Sequence, residues 1–187
     1  MAGRIYCIAF FLIIINWISC KAPEATPQQK LTFLSFLSAG INGLDHLLTD
    51  FTDQLSSAMY DVENKQDVVN PKVADSLKNK SRYIVMYLKE RLGIIDTLVD
   101  ADGSFELKDR CKKYFEHTIA VIKNETTILT HYLRSGGRST SYDEAHENLS
   151  IMNNLVEESQ SIHEDLRKFQ IRNRISNDEL TESEQHY

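Results

Sequence analysis

Cysteine is scarce in this sequence, and two of its three cysteines, Cys7 and Cys20, stand within the first twenty residues. Without that stretch Cys111 remains alone, and one cysteine excludes an internal disulfide framework. Stability must then come from a packed core. Cys111 reads as a small buried hydrophobe, with an intermolecular bridge or a reactive thiol as the other reading. Long apolar runs are missing too. Ile5 to Ile15 is unbroken, but a membrane span needs ~20 apolar residues. No later segment reaches that length, so no stable membrane anchor is expected.

Glycine is limited to seven residues, and no G-x-x-x-x-G-K-[ST] occurs among them. The "DEAH" at Asp143–His146 therefore lacks the phosphate-binding loop that a helicase motif requires. Basic charge is thin, 21 Lys and Arg against 27 Asp and Glu, a net of −6 with no basic run. That balance argues against nucleic acid and against anionic membrane surfaces.

What is present begins with the amino terminus. Arg4 followed by the short apolar run and the diluting Asn16, Ser19 and Cys20 fits a secretory signal peptide over 1–20. Cleavage after Cys20 places Ile18 and Cys20 at the positions that the peptidase inspects. Cleavage after Ala22 sets Pro23 beside the scissile bond and is the poorer choice. A bacterial lipoprotein acylated at Cys20 is the rival, but Trp17 stands where a lipobox wants Leu or Val. Only Arg4 is lost among the charges, so the mature chain carries a net −7. Its length suits a single domain.

After a lead at 21–27, the pattern predicts four helices, at about 28–63, 71–98, 104–134 and 141–174. In the first, Leu34, Leu37, Ile41, Leu44, Leu48, Phe51, Leu55, Ala58 and Val62 alternate spacings of three and four, a coiled-coil-like heptad seam. Gly40 and Gly43 lie inside it and mark either a bend or the close approach of a neighbour. Asn70-Pro71 opens the second helix, whose apolar face is Val73, Leu77, Ile84, Leu88, Leu92 and Ile95. The third carries Leu107, Cys111, Tyr114, Phe115, Ile122, Leu129 and Tyr132, and ends at Ser135-Gly136-Gly137. Ser141-x-x-Glu144 is a capping box for the fourth, which runs through Leu149, Met152, Leu155, Val156, Ile162, Leu166 and Phe169. Residues 175–187 read as an acidic disordered tail.

The links set the topology. The second helix is ~42 Å long, whereas residues 64–70 reach only ~25 Å when fully extended. Consecutive helices are therefore expected to be antiparallel. The fold class is all-α, an up-down-up-down four-helix bundle with long antiparallel helices.

Candidate chemistries are few. "DADGSFEL" at Asp100–Leu107 resembles the start of a calcium loop, but neither register supplies its ligands. With Gly103 at position 6, Leu98 stands at position 1; starting at Asp100 puts Phe105 at the glycine and Cys111 at the bidentate acid. An interhelical turn accounts for the stretch: Gly103 for the turn, Asp102 or Ser104 as cap, Glu106 at the helix's positive end. No Glu-x-x-His or H-E-x-x-H exists for a metal site, and no nucleophile motif is present. His163 falls on an apolar stripe and reads as a satisfied core or boundary residue. Glu125 projects near the third helix's apolar face and reads as a boundary carboxylate reaching water.

Three sequons occur, at Asn79, Asn124 and Asn148. On a helical wheel Asn79 lies ~160° and Asn124 ~130° from the apolar centre of its helix, so both suit glycans, while Asn148 lies within ~20° and does not. The expected protein is a secreted, extracellular glycoprotein without catalytic residues, metal or cofactor, an effector (salivary-type or otherwise) that binds a protein partner. A carrier of lipid or another apolar ligand, resembling exchangeable apolipoproteins and opening on lipid, is the alternative. The apolar "LTFLSFLSAGI" with Phe33 and Phe36 favours it, and weak lipid binding is kept with it. A helical cytokine is third, weakened because its arrangement needs long crossovers.

Overall fold

The structure, a computed structural model, describes residues 24–65, 71–103, 106–138 and 142–185. The signal peptide expected at 1–20 and the capping positions Asn70, Ser104 and Ser141 lie outside the described residues. Five helices occur among the described residues and no strand: α1 (Pro27–Lys65), α2 (Pro71–Ile95), α3 (Glu106–Arg134), α4 (Tyr142–Arg172) and α5 (Asn177–Glu184). The fold is all-helical, with bundle-like packing. α1 packs against each of the other four helices, whereas α2 packs against α1 and α3 only.

Local chemistry accounts for the starts and stops. Thr26 and Gln29 form a reciprocal cap around Pro27: the Gln29 backbone N–H donates to Thr26 Oγ1 (3.2 Å) and the Thr26 N–H donates to Gln29 Oε1 (2.8 Å). α2 stops at Ile95, three residues before the expected end, where the Thr97 N–H and hydroxyl both donate to the Ile94 carbonyl. At the end of α3, Gly136 and Gly137 adopt φ of 62° and 77°, and the Gly137 N–H donates to the Tyr132 carbonyl at 3.0 Å. That is a Schellman closure, which glycine makes without strain.

Of the tail expected at 175–187, the described residues 175–185 are not an unstructured segment. α4 is closed by the same geometry with Arg174 at φ 57°, and the chain turns into α5. Ser176 and Glu179 form a capping box there, and a hydrogen bond from the Ser176 N–H holds the Glu179 carboxyl below its usual range. Ile175 and Leu180 pack against the core. The acidic composition hides this helix because Leu180 is its one apolar residue, with Ile175 just before its cap.

The core centres on α1. Every residue of its heptad seam is buried, and so are Phe33, Phe36 and Met59 beside the seam. A helix with neighbours on several sides has no free face for them. Phe33 packs on Phe169 with ring centroids 5.4 Å apart, and Arg91 lies 5.2 Å above the Phe36 ring. Val73 is the exception on α2: it is 39% exposed, and Ala74 takes the inward position of the first turn.

Gly40 and Gly43 mark a close approach. A methyl group at Gly40 would stand 3.3 Å from the Phe115 ring, and one at Gly43 would stand 2.4 Å from the Tyr87 hydroxyl. Tyr87 uses that space to donate a hydrogen bond to the Gly40 carbonyl at 3.1 Å. The glycines thus exchange helix propensity for an aromatic that crosses from α2 onto the α1 backbone.

Candidate binding site

α2, like α4, packs against two other described helices, which leaves one of its faces open. Its buried stripe is Ala74, Leu77, Ser81, Ile84, Leu88 and Ile95, spaced three, four and seven apart. The opposite stripe, Asn79, Tyr83 and Met86, is exposed. Tyr83 is 52% and Met86 60% exposed, large values for an aromatic and a thioether side chain. Beside Tyr83 an open groove of about 590 Å³ runs between α2 and α1, with Leu47 and Ile84 among its apolar lining. The Lys80–Asp50 ion pair crosses it, and the hydrogen bond from Lys80 holds the Asp50 carboxyl below its usual range. Tyr and Met are enriched at the centres of protein interfaces, and charged groups such as Lys80 and Asp50 belong to their polar rims.

The residues singled out by sequence fall in different places. Asn79 and Asn124 are exposed, while Asn148 is 7% exposed with its Nδ2 lacking a hydrogen-bond partner. In the "DADGSFEL" turn Gly103 has φ 73°, and Asp100 Oδ1 accepts from the Asp102 N–H at 3.2 Å. Arg172 forms an ion pair with the Asp102 carboxylate, and Lys108 donates to the Leu98 carbonyl at 2.7 Å, so two cations already occupy oxygens of this loop. His163 sits at the edge of the core with its Nε2 2.6 Å from Asp45 Oδ2. His146, from the "DEAH" string, lies in the first turns of α4, 2.7 Å from Glu63 Oε1 and stacked on Tyr142.

Glu125 corrects its expectation in part. Its Oε2 is shut off from water without a hydrogen-bond partner, and burial, with the nearby Glu147 charge, raises its pKa above the usual carboxylate range. Cys111 is wholly buried, and burial pushes its thiol up to about 12, so it is neutral and unreactive at physiological pH. Burial likewise raises the Tyr114 hydroxyl, which donates to the Leu155 carbonyl at 3.0 Å.

The sequence reading does not single out Tyr83 or Met86. The helical wheel nonetheless places both opposite the buried stripe of α2, and that position was the available signal. The Tyr87 contact with Gly40 and Gly43 joins residues on separate helices and has no counterpart in local sequence. Comparison with models of known protein families finds no match, and neither curated proteins nor solved structures match this chain.

Proposed function

We propose that this is a secreted, non-enzymatic four-helix bundle that binds a partner protein through the exposed stripe of α2. The observation that carries the reading is the pair Tyr83 and Met86, exposed one turn apart, with Tyr83 lining the α1–α2 groove. Interface energy concentrates in a few such anchors. Support for an up-down-up-down course comes from contacts whose numbering rises on one helix as it falls on the next. Asp50 meets Lys80 and Gly40 meets Tyr87; Asp75 meets Arg134 and Asp96 meets Lys112. Arg110 meets Asp165 and His117 meets Glu158. The non-enzymatic reading draws on the absence of nucleophile motifs and on the neutral, sealed Cys111 thiol.

Asn79 and Asn124 are the glycan acceptors in this reading. Asn79 precedes Tyr83 by one turn, so its glycan borders the binding stripe. Enzymatic deglycosylation of the secreted protein should lower its mass by two glycans, and by one after Asn79→Gln.

The functional test is capture of a partner from extracellular fluid by the wild-type protein and by variants. Tyr83→Ala with Met86→Ala should abolish capture, whereas Ile171→Ala, on an exposed part of α4, should leave it intact. Capture unaffected by the double variant moves the interface elsewhere. Clearance of phospholipid vesicles with a rise in helical content favours the lipid carrier instead.

A further inference from the structure

The other flank of α2, facing α3, holds a second open groove of about 470 Å³. Its charged lining is of one sign: Lys78 and Arg82 from α2, and Lys123 and Arg134 from α3, with His131 beside them and no carboxylate among them. That is unexpected in a chain with a net charge of −6. Arg134 is paired with Asp75, while Lys78, Arg82, Lys123 and His131 have no ion-pair partner among the described residues. Cations gathered on two facing rims repel one another and raise the local concentration of anions.

The remaining lining is hydroxyl-rich. Ser81 and Thr130 line the groove with their hydroxyls donating to the Lys78 and Thr126 carbonyls, at 2.9 and 2.7 Å. Thr126 is 5% exposed and its Oγ1 has no hydrogen-bond partner. A helical threonine has two accessible χ1 wells, so this hydroxyl is able to turn toward a ligand. Val85 and Ile122 supply an apolar floor at one end.

Two features select the ligand. The cations are spread out: Lys123 and Arg134 are separated by ~16 Å along α3, with Arg82 and Lys78 on the facing rim. A single small anion calls for converging donors, whereas this spacing suits anions set at intervals along a chain. No Phe, Tyr or Trp lines the groove, so it has none of the stacking platforms on which single-stranded nucleic acids rely. We propose that the α2–α3 groove binds a linear sulfated oligosaccharide, its sulfate esters paired with Lys78, Arg82 and Lys123, and with Arg134 in exchange for Asp75. Its hydroxyls meet the Ser and Thr rows and its ring faces lie on Val85 and Ile122. Arg82 has the planar fork that matches a sulfate ester in bidentate fashion.

The probe is a heparin-derived hexasaccharide, titrated calorimetrically into the full secreted protein at low salt. Binding should occur and should weaken as salt rises. Arg82→Ala with Lys123→Ala should weaken it at least about tenfold. The charge-conserving pair Arg82→Lys with Lys123→Arg should keep most of it, and Thr126→Val should weaken it severalfold with an unchanged circular dichroism spectrum. Lys168→Ala, on α4, should have no effect. No binding, or equal binding by the double alanine variant, overturns the proposal. So does equal affinity for the desulfated hexasaccharide or for a single-stranded oligonucleotide, since either shows that spaced sulfates are not what the groove reads.

Discussion

α1 and α2 are adjacent in sequence and opposite in character. α1 touches all four other helices and buries apolar residues on more than one face. α2 touches two helices and buries one stripe. The difference teaches where each kind of information sits. A helix surrounded by neighbours is constrained almost everywhere, so its sequence reads as a regular seam with glycines where a partner comes close. A helix at the margin is constrained on one stripe and free elsewhere. On α2 that freedom holds Tyr83 and Met86 on the outside and the cationic rim on the α3 side.

The contrast is tested most severely by two aromatics. Phe115 packs against Gly40 of α1 and is fully buried, so Phe115→Ala should cost about 3–5 kcal/mol in chemical denaturation. Tyr83→Ala, on the open stripe of α2, should stay within ~0.5 kcal/mol of wild type. Comparable losses at both positions would mean that α2 has no free face.

Next comes alkaline pH. Cys111 is neutral in the folded core, and its folded pKa is raised to about 12 by burial, against ~8.5 in an unfolded chain. Its contribution is complete below about pH 8.5 and is lost as pH rises through the folded value, because the unfolded thiol ionises first. By pH 10 the loss should be about 1–2 kcal/mol. Denaturation midpoints measured between pH 8 and 10 (a window of about 2 units) should fall for wild type and fall less for Cys111→Ala.

The glycines give a smaller and opposite pair of effects. Gly43→Ala displaces the Tyr87 hydroxyl and should cost about 1 kcal/mol net, overpacking outweighing the gain in helix propensity. Gly93→Ala meets nothing within 4 Å and should stabilise α2 by up to ~1 kcal/mol. Thermal melts of the two variants, shifting in opposite directions, would confirm that α1 needs its glycine and α2 does not. The smallest effect belongs to the link that lays α5 on α1. Arg174 holds φ 57°, and Arg174→Gly should raise stability by about 0.5–1 kcal/mol by relieving that conformation. A loss would mean that the Arg174 side chain contributes more than its backbone strain costs.

Much of the fold was legible because helix periodicity is local. The α1 seam, the glycine stop of α3 and the proline start of α2 are all written within a few residues of where they act. The Ser176-x-x-Glu179 box was equally local, and it was obscured by the acidic composition around it. Val73 was misplaced because a three–four pattern fits either it or Ala74 in the first turn, and packing makes the choice. Of the candidate site, the positions of Tyr83 and Met86 were legible on the wheel, but the groove beside them was not. It needs Leu47 and Asp50 of α1 to come alongside.

By itself, then, the sequence determined the helical class, most limits of the four long helices, their inward stripes apart from the first turn of α2, and the outward positions of Asn79 and Asn124, since these follow from a rotation of ~100° per residue and from caps one turn away. Only the tertiary structure decided why Gly40 and Gly43 are glycines, that α5 closes over α1, and that Lys78 and Arg82 face Lys123, His131 and Arg134 across one groove. The α2 members lie 41 to 56 positions from the α3 members in a chain with no basic run. Packing α2 against α3 gathers them into a field that neither helix carries alone.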